Sequence, residues 1–206
     1  MVRATEQPMC YAEGFLQLIL AMTSDEREKN QQKITRLWDV GASFGDCLLW
    51  TSAVLQDVKL ELRGFEPLPA QAAAFKRSAA VVKTAEMKVE MMALRDEKGV
   101  LDIAFPSHSM ALATFQSCAK QYEIPSNHEY QCFSRTTTSE TLDDYLKRWG
   151  PQEPIDLIKV HVQGDEMSFL HGANASFAAG RICSLCLCRK IINEFSAHPF
   201  FKYSYV

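Results

Sequence analysis

Residues 155–173, IDLIKVHVQGDEMSFLHGA, constrain the fold more than any other stretch. Ile155, Leu157, Ile158, Val160 and Val162 make an apolar run of the length of a buried strand. The run then fills with His161, Gln163, Asp165 and Glu166 around Gly164, and a short helical segment follows to Gly172, suited to a helix C-terminus. A buried strand that feeds directly into a helix is the repeating unit of a parallel sheet. Two readings of the polar corner stand at this point: a wet strand-to-helix turn, or a strand that ends at a site.

The same unit recurs upstream. Residues 36–40 read as a strand that meets a glycine turn, DVGASFGD, and then an apolar-faced helix. KLELRGFEPLP gives a second strand, ending at Glu66 and closed by Pro67 and Pro69, and an alanine-rich helix follows. MKVEMMALRDEKGVLDIAFP reads as two strands around a turn at Asp96 to Gly99, stopped by Pro106. Residues 107–135 show no clean period and are expected to form a long loop or lid. TLDDYLKRWG is a short helix capped by Thr141, with Asp144 three residues on and Gly150 and Pro151 as its stop. RICSLCLC supplies one more strand. Strands alternating with helices predict an α/β fold, a doubly wound, mostly parallel sheet with helices on both faces. Residues 1–35 are expected to be a helical segment outside that domain, which spans 36–206.

With 206 residues, 47% of them hydrophobic, the chain can bury one substantial core. A formal net charge of −3 gives no basic surplus, so a nucleic-acid partner is not expected. The run GFLQLILAM is too short to span a bilayer, and Glu6 and Glu13 before it do not suit a signal peptide. Neither a membrane partner nor export is therefore expected, and the location expected is cytoplasmic. Seven cysteines without regular spacing read as reduced thiols. Cys183, Cys186 and Cys188 resemble half a zinc site, but the second pair is missing, so no metal is expected.

Two strand ends carry ligand chemistry. In DVGASFGD, Gly41 and Gly45 permit a tight turn and close backbone approach, and the helix that follows offers unpaired N–H groups. The spacing is GxxxG. It lacks the dinucleotide fingerprint GxGxxG and the Walker lysine, which disfavours a nicotinamide cofactor or ATP. Glu66, at the next strand end, can accept hydrogen bonds from both hydroxyls of a ribose.

Four blocks taken together resemble the FkbM-type S-adenosylmethionine-dependent methyltransferases. DVGASFGD is similar to the family's DVGANxG, GFEPLP to its FEPxP, and TTTSETLDDYL to its TTLDDYL. The opening stretch is similar to its IDLIKIDVEGAExxVLxGA, and the match covers about residues 36–188. The resemblance implies a class I, Rossmann-like methyltransferase domain with S-adenosylmethionine as cofactor. It implies cofactor contacts at Gly41, Ala42, Ser43 and Gly45 for the methionine part, Glu66 for the ribose, and Met91, Met92 and Ala93 for the adenine, with Asp39 also in the cofactor set. His161 joins the cofactor set, and His161, Gln163 and Glu166 are the implied catalytic positions.

The departures lie at the same corner. His161 and Gln163 stand where the family has Asp and Glu, Ser43 where it has Asn, and Cys188 where it has a later Glu. Glu166 is kept. The chain stops soon after Cys188, so the sheet is expected to lack its last strands. Methyl transfer from a sulfonium needs mainly positioning, plus a base if the acceptor must lose a proton. The leading expectation is O-methylation of a small-molecule or sugar-like acceptor. The alternative is a catalytically degenerate relative acting as a cofactor-binding or interaction module.

Overall fold

The computed structural model describes Ile19 and residues 34–107, 109–116, 131–149 and 153–187. Five strands form the main sheet. They are β1 (Thr35–Val40), β2 (Leu60–Phe65), β3 (Ala85–Glu90), β7 (Leu157–Val160) and β8 (Leu185–Leu187). Their order is β3-β2-β1-β7-β8, and every pairing is parallel. The chain thus winds outward from β1 to β3 and later returns to the other side of β1. The strand order reverses between β1 and β7, where such sheets open a crevice at their C-terminal edge.

Helices cover both faces. On one side lie α1 (Asp46–Val54) and α2 (Pro69–Ala79). Leu48 and Phe75 from these helices pack with Leu37, Leu62 and Leu157 of the strands. On the other lie α3 (Leu142–Trp149), α4 (Glu166–Gly172) and α5 (Asn174–Ala178). There Tyr145, Leu146 and Phe169 pack with Trp38, Val40, Phe65, Ile158 and Val160. Strand alternation does this sorting: Leu37 and Trp38 are neighbours in β1 and belong to opposite layers. Helix termini follow the local chemistry. Pro69 opens α2 where its missing N–H is no loss, and Thr141 Oγ1 accepts the Asp144 N–H at 3.0 Å to cap α3.

One charged side chain is buried whole in the second layer. Arg63 of β2, 1% exposed, lies over the rings of Trp38, Tyr145 and Trp149. It donates to the Tyr145 hydroxyl, which in turn donates to Glu90 Oε1 at 2.6 Å. Burial, together with the hydrogen bond to Glu90, pushes the Tyr145 hydroxyl well above its ordinary range.

A second, smaller sheet stands apart from the main one. β4 (Ala93–Leu94), β5 (Gly99–Pro106) and β6 (Cys132–Glu140) form a three-stranded sheet in the order β4-β6-β5. β5 and β6 pair antiparallel over their whole length. The reading of residues 107–135 as one loop or lid is corrected at both ends. Residues 132–135 belong to β6, and Met110–Leu112 form a 3-10 turn. Beyond that turn, Thr114 bridges back to Ala104. The middle of β6 reads SRTTTS, whose run of hydroxyl side chains lacks the apolar alternation that marks a strand in sequence.

Ile19 is helical and buried against Leu37 and Leu48, and Thr35 at the end of the expected N-terminal helical segment already belongs to β1; the other residues of that segment up to 33, with Cys188, Gly150 and Pro151, lie outside the described residues. The reading of reduced thiols is corrected at two positions, since Cys47 and Cys132 are disulfide-bonded. Spacing along the chain does not reveal which thiols the fold brings together. Among the described residues no helix is long and apolar enough to cross a membrane, and no His, Cys, Asp and Glu cluster could hold a metal ion.

Candidate functional site

The C-terminal ends of β1, β2 and β7 meet beneath the small sheet in a cleft of about 540 Å³ of empty space, counting its open mouth. Gly41 and Ser43 line it from the turn after β1, Glu66 and Gln71 from the region after β2, and His161, Gln163 and Asp165 from the corner after β7. Met92, Ala93 and Leu94 line a third side, while Ile103, Met110, Ala113 and Phe115 form an apolar wall. Of the residues singled out in the sequence, Gly41, Ser43, Glu66, Met92, Ala93, His161 and Gln163 thus share one cleft. Asp39, Ala42, Gly45, Met91 and Glu166 do not line it.

The turn after β1 needs its glycines. Gly41 has φ +79°, and a Cβ there would lie 2.1 Å from the carbonyl oxygen of His161. Gly45 has φ +83°, and its Cβ would overlap the Phe75 ring. Both are left-handed conformations that strain any residue with a Cβ. Ser43, at φ +51°, adopts the left-handed region without being glycine. Gly41 and Ala42 N–H both donate to the Phe65 carbonyl, each at 3.0 Å, which pins the turn to the end of β2.

Glu66 completes that junction. Its Oε2 accepts the Ser43 N–H at 2.8 Å and its Oε1 the Leu68 N–H at 2.9 Å. Burial pushes its carboxyl up to about 7, the two amides pulling back and Asp39 adding to the rise. Each oxygen retains a lone pair for a further donor. Beside it, Gln71 is 1% exposed and its Oε1 has no hydrogen-bond partner among the described residues. A buried acceptor left unpaired is costly, so a donor from a bound molecule would stabilise this wall. These acceptors suit a polyhydroxylated group such as a ribose, and the apolar wall suits a flat base.

The β7 corner is tightly tied. Glu166 is 2% exposed; Oε1 accepts the Val162 N–H at 3.2 Å and Oε2 the Gly164 N–H at 2.9 Å. Its carboxylate therefore clamps the turn from behind. Gln163, at φ +54°, donates through Nε2 to His161 Nε2 at 3.1 Å. An amide nitrogen can only donate, so His161 Nε2 accepts and the ring proton sits on Nδ1. Burial, reinforced by the charge on Lys159, lowers the His161 pKa, against opposing pulls from Glu166 and Asp39. The imidazole is neutral near pH 7. Asp39 faces away, paired at 2.7 Å with Lys159 of the neighbouring strand.

Two polar lining residues, Asp165 and Gln71, are not among the site residues expected from sequence. Asp165 stood in the polar corner but carried no pattern of its own, and Gln71 is one polar residue in an alanine-rich helix. Asp165 is gripped by Arg95, with Nε at 2.6 Å from Oδ2 and Nη2 at 3.2 Å from Oδ1. Burial raises the Asp165 carboxyl to about 6, against the lowering pull of Arg95. The corner also holds the wall: Thr114 Oγ1 donates to the Gln163 carbonyl at 3.2 Å and Gln116 Nε2 to the Gly164 carbonyl at 2.9 Å.

The description of a methyltransferase FkbM domain matches residues 39–204. A search of curated proteins finds no match. One solved structure is similar, the methyltransferase FkbM from Methylobacillus flagellatus KT, at 15% sequence identity and a TM-score of 0.45. The likeness covers 78% of this chain and 35% of that one, so the chain spans about a third of its length.

Proposed function

The chain belongs to the FkbM methyltransferase family, and on that premise we propose that its cleft binds S-adenosylmethionine and delivers the methyl group to a small-molecule hydroxyl, as on a sugar-like acceptor. The observation that carries the reading is Glu66, a carboxylate fixed by the Ser43 and Leu68 amides with lone pairs left for two ribose hydroxyls. Gln71 Oε1 offers a third acceptor. The turn from Gly41 to Ser43 would cradle the methionine part, and Met92 and Ala93 would flank the adenine.

S-adenosylmethionine supplies a methyl group already activated on a sulfonium. The protein's share is then positioning and exclusion of water. The wall of Ile103, Met110, Ala113 and Phe115 keeps the cleft apolar, and the Thr114 and Gln116 hydrogen bonds hold it against the β7 corner. Among the described residues lining the cleft there is neither Lys nor Arg, which favours a neutral acceptor over a phosphorylated one.

A second reading is a cofactor-binding relative without catalysis. It is favoured by His161, whose Nε2 is already occupied by Gln163 and so is not open to take a proton. Calorimetry with S-adenosylmethionine and with NAD tests the first step: binding of the former alone is expected, and binding of NAD alone rejects the reading. Methyl transfer from labelled cofactor to a panel of neutral hydroxylated acceptors separates the two readings.

The expected cytoplasmic location meets an opposing observation. The disulfides at Cys47 and Cys132 suit an oxidising compartment.

A further inference from the structure

Resting on the methyl-donor reading of the cleft, we propose that Asp165 is the carboxylate that faces the positive sulfur of the bound donor, a role for which Arg95 holds it in place. Among the described residues three ionisable side chains line the cleft: Glu66, His161 and Asp165. Glu66 lies at the β2 end, committed to the Ser43 and Leu68 amides. His161 and Asp165 lie at the β7 end. That end abuts the glycine turn, because His161 N–H donates to the Val40 carbonyl at 2.9 Å and the Gly41 backbone packs on the His161 carbonyl. A sulfonium held between the glycine turn and the Glu66 region therefore has the β7 corner as its neighbour.

Of the two ionisable groups that line the cleft at that corner, only one can offset a positive charge; Glu166 sits behind the turn, bound to the Val162 and Gly164 amides. His161 is neutral and its Nε2 is filled by Gln163. Asp165 is the acid. Its side chain is 10% exposed, where water screens a charge poorly. Arg95 grips both oxygens, and its guanidinium stacks 4.7 Å from the centre of the Phe115 ring. Arg95 is not among the residues lining the cleft, whereas Asp165 is. The ion pair thus presents its negative side to the cleft and fixes the rotamer of the carboxylate. A nearby cation still gains from the closer charge of such a pair.

The test uses two ligands that differ at sulfur. S-adenosylmethionine carries the methyl group and the positive charge; S-adenosylhomocysteine has neither. Both are titrated by calorimetry into the full chain and into Asp165→Asn. The expected result is a loss of about tenfold in affinity for S-adenosylmethionine, with S-adenosylhomocysteine held within about twofold, since a nearby charge is worth about 1.4 kcal/mol at this scale. Equal weakening of both ligands gives Asp165 a structural role only and overturns the proposal, as does no change in either. Should Asp165→Asn fail to fold, Asp165→Ser decides. It too removes the charge, so the preference for S-adenosylmethionine over S-adenosylhomocysteine should fall about tenfold, and an unchanged or higher preference overturns the proposal. Failure of the wild type to bind either ligand defeats the cofactor reading itself and this inference with it.

Discussion

Glu66 Oε2 accepts a hydrogen bond from the Ser43 backbone N–H at 2.8 Å. That bond joins the acid at the end of β2 to the glycine turn at the end of β1, 23 residues earlier. Two motifs that stand apart in the sequence become one wall of one cleft. The bond also gives Glu66 two duties, shaping the turn and receiving a ligand.

Replacing Glu66 by Ala should therefore weaken S-adenosylmethionine binding by about 1.5–3 kcal/mol, the range for hydrogen bonds to a charged group. S-adenosylhomocysteine should weaken equally, since both share the ribose. Calorimetry on the two ligands checks this. An unchanged affinity in a variant that melts like the wild type removes Glu66 from the ribose site.

The same residue predicts a pH dependence of stability. Burial holds its carboxyl at about 7 in the folded chain against an ordinary value of 4.5. Below 4.5 both states keep the proton and the group contributes nothing. As pH rises from 4.5 to 7 the unfolded chain releases its proton first, so the folded state loses stability, by up to about 3 kcal/mol, and the loss levels off above 7. Asp165, raised to about 6, acts in the same direction over a lower window. Urea melts across pH 4–8 should show a shallower decline in Glu66→Gln than in wild type. Parallel curves would mean that Glu66 titrates normally.

Gly41→Ala should destabilise the fold by at least about 1–2 kcal/mol, the cost of a left-handed residue with a Cβ. The overlap with the His161 carbonyl adds to this, because the new atom would lie 2.1 Å from that oxygen. Thermal melting measures the loss. Gly180, also left-handed but with nothing within 4 Å of its Cβ, is the control that carries the backbone strain alone.

Acids introduced at the altered corner, His161→Asp with Gln163→Glu, should tighten S-adenosylmethionine by up to about tenfold and leave S-adenosylhomocysteine unchanged. The variant should also melt lower, because Asp165 and Glu166 already crowd the corner with negative charge. Paired titrations and melts report both effects. A folded variant that binds the two ligands as wild type does would place the corner away from the sulfur.

Alkylation in denaturant without reductant, followed by mass spectrometry, should leave Cys47 and Cys132 unmodified, whereas a free buried thiol at Cys47 would react once unfolded. Modification of both in protein taken directly from its source cells would assign the chain to a reducing compartment.

The sequence by itself determined the alternation of strands and helices, the glycine turn and the acid after the second strand. These are local statements: apolar periodicity, a backbone that needs glycine, a proline that stops a strand. They carry through to β1, β2, β7 and the helices between them, and they locate Gly41 and Glu66 at strand ends. Only the tertiary structure decided what the polar groups do there. It set β7 against β1, so that the His161 corner borders the glycine turn. It turned Glu166 inward as a clamp, and it made Asp165 and Gln71 part of the cleft. Pairing of β5 with β6 into a separate sheet depended on partners more than 25 residues apart, such as Pro106 and Cys132. Ionisation and tautomer were equally beyond sequence, because desolvation and hydrogen bonding depend on which distant groups close around a side chain. The His161 pKa is lowered by burial and by Lys159, its tautomer follows from Gln163, and Glu66 is raised because the end of β2 is closed off from water.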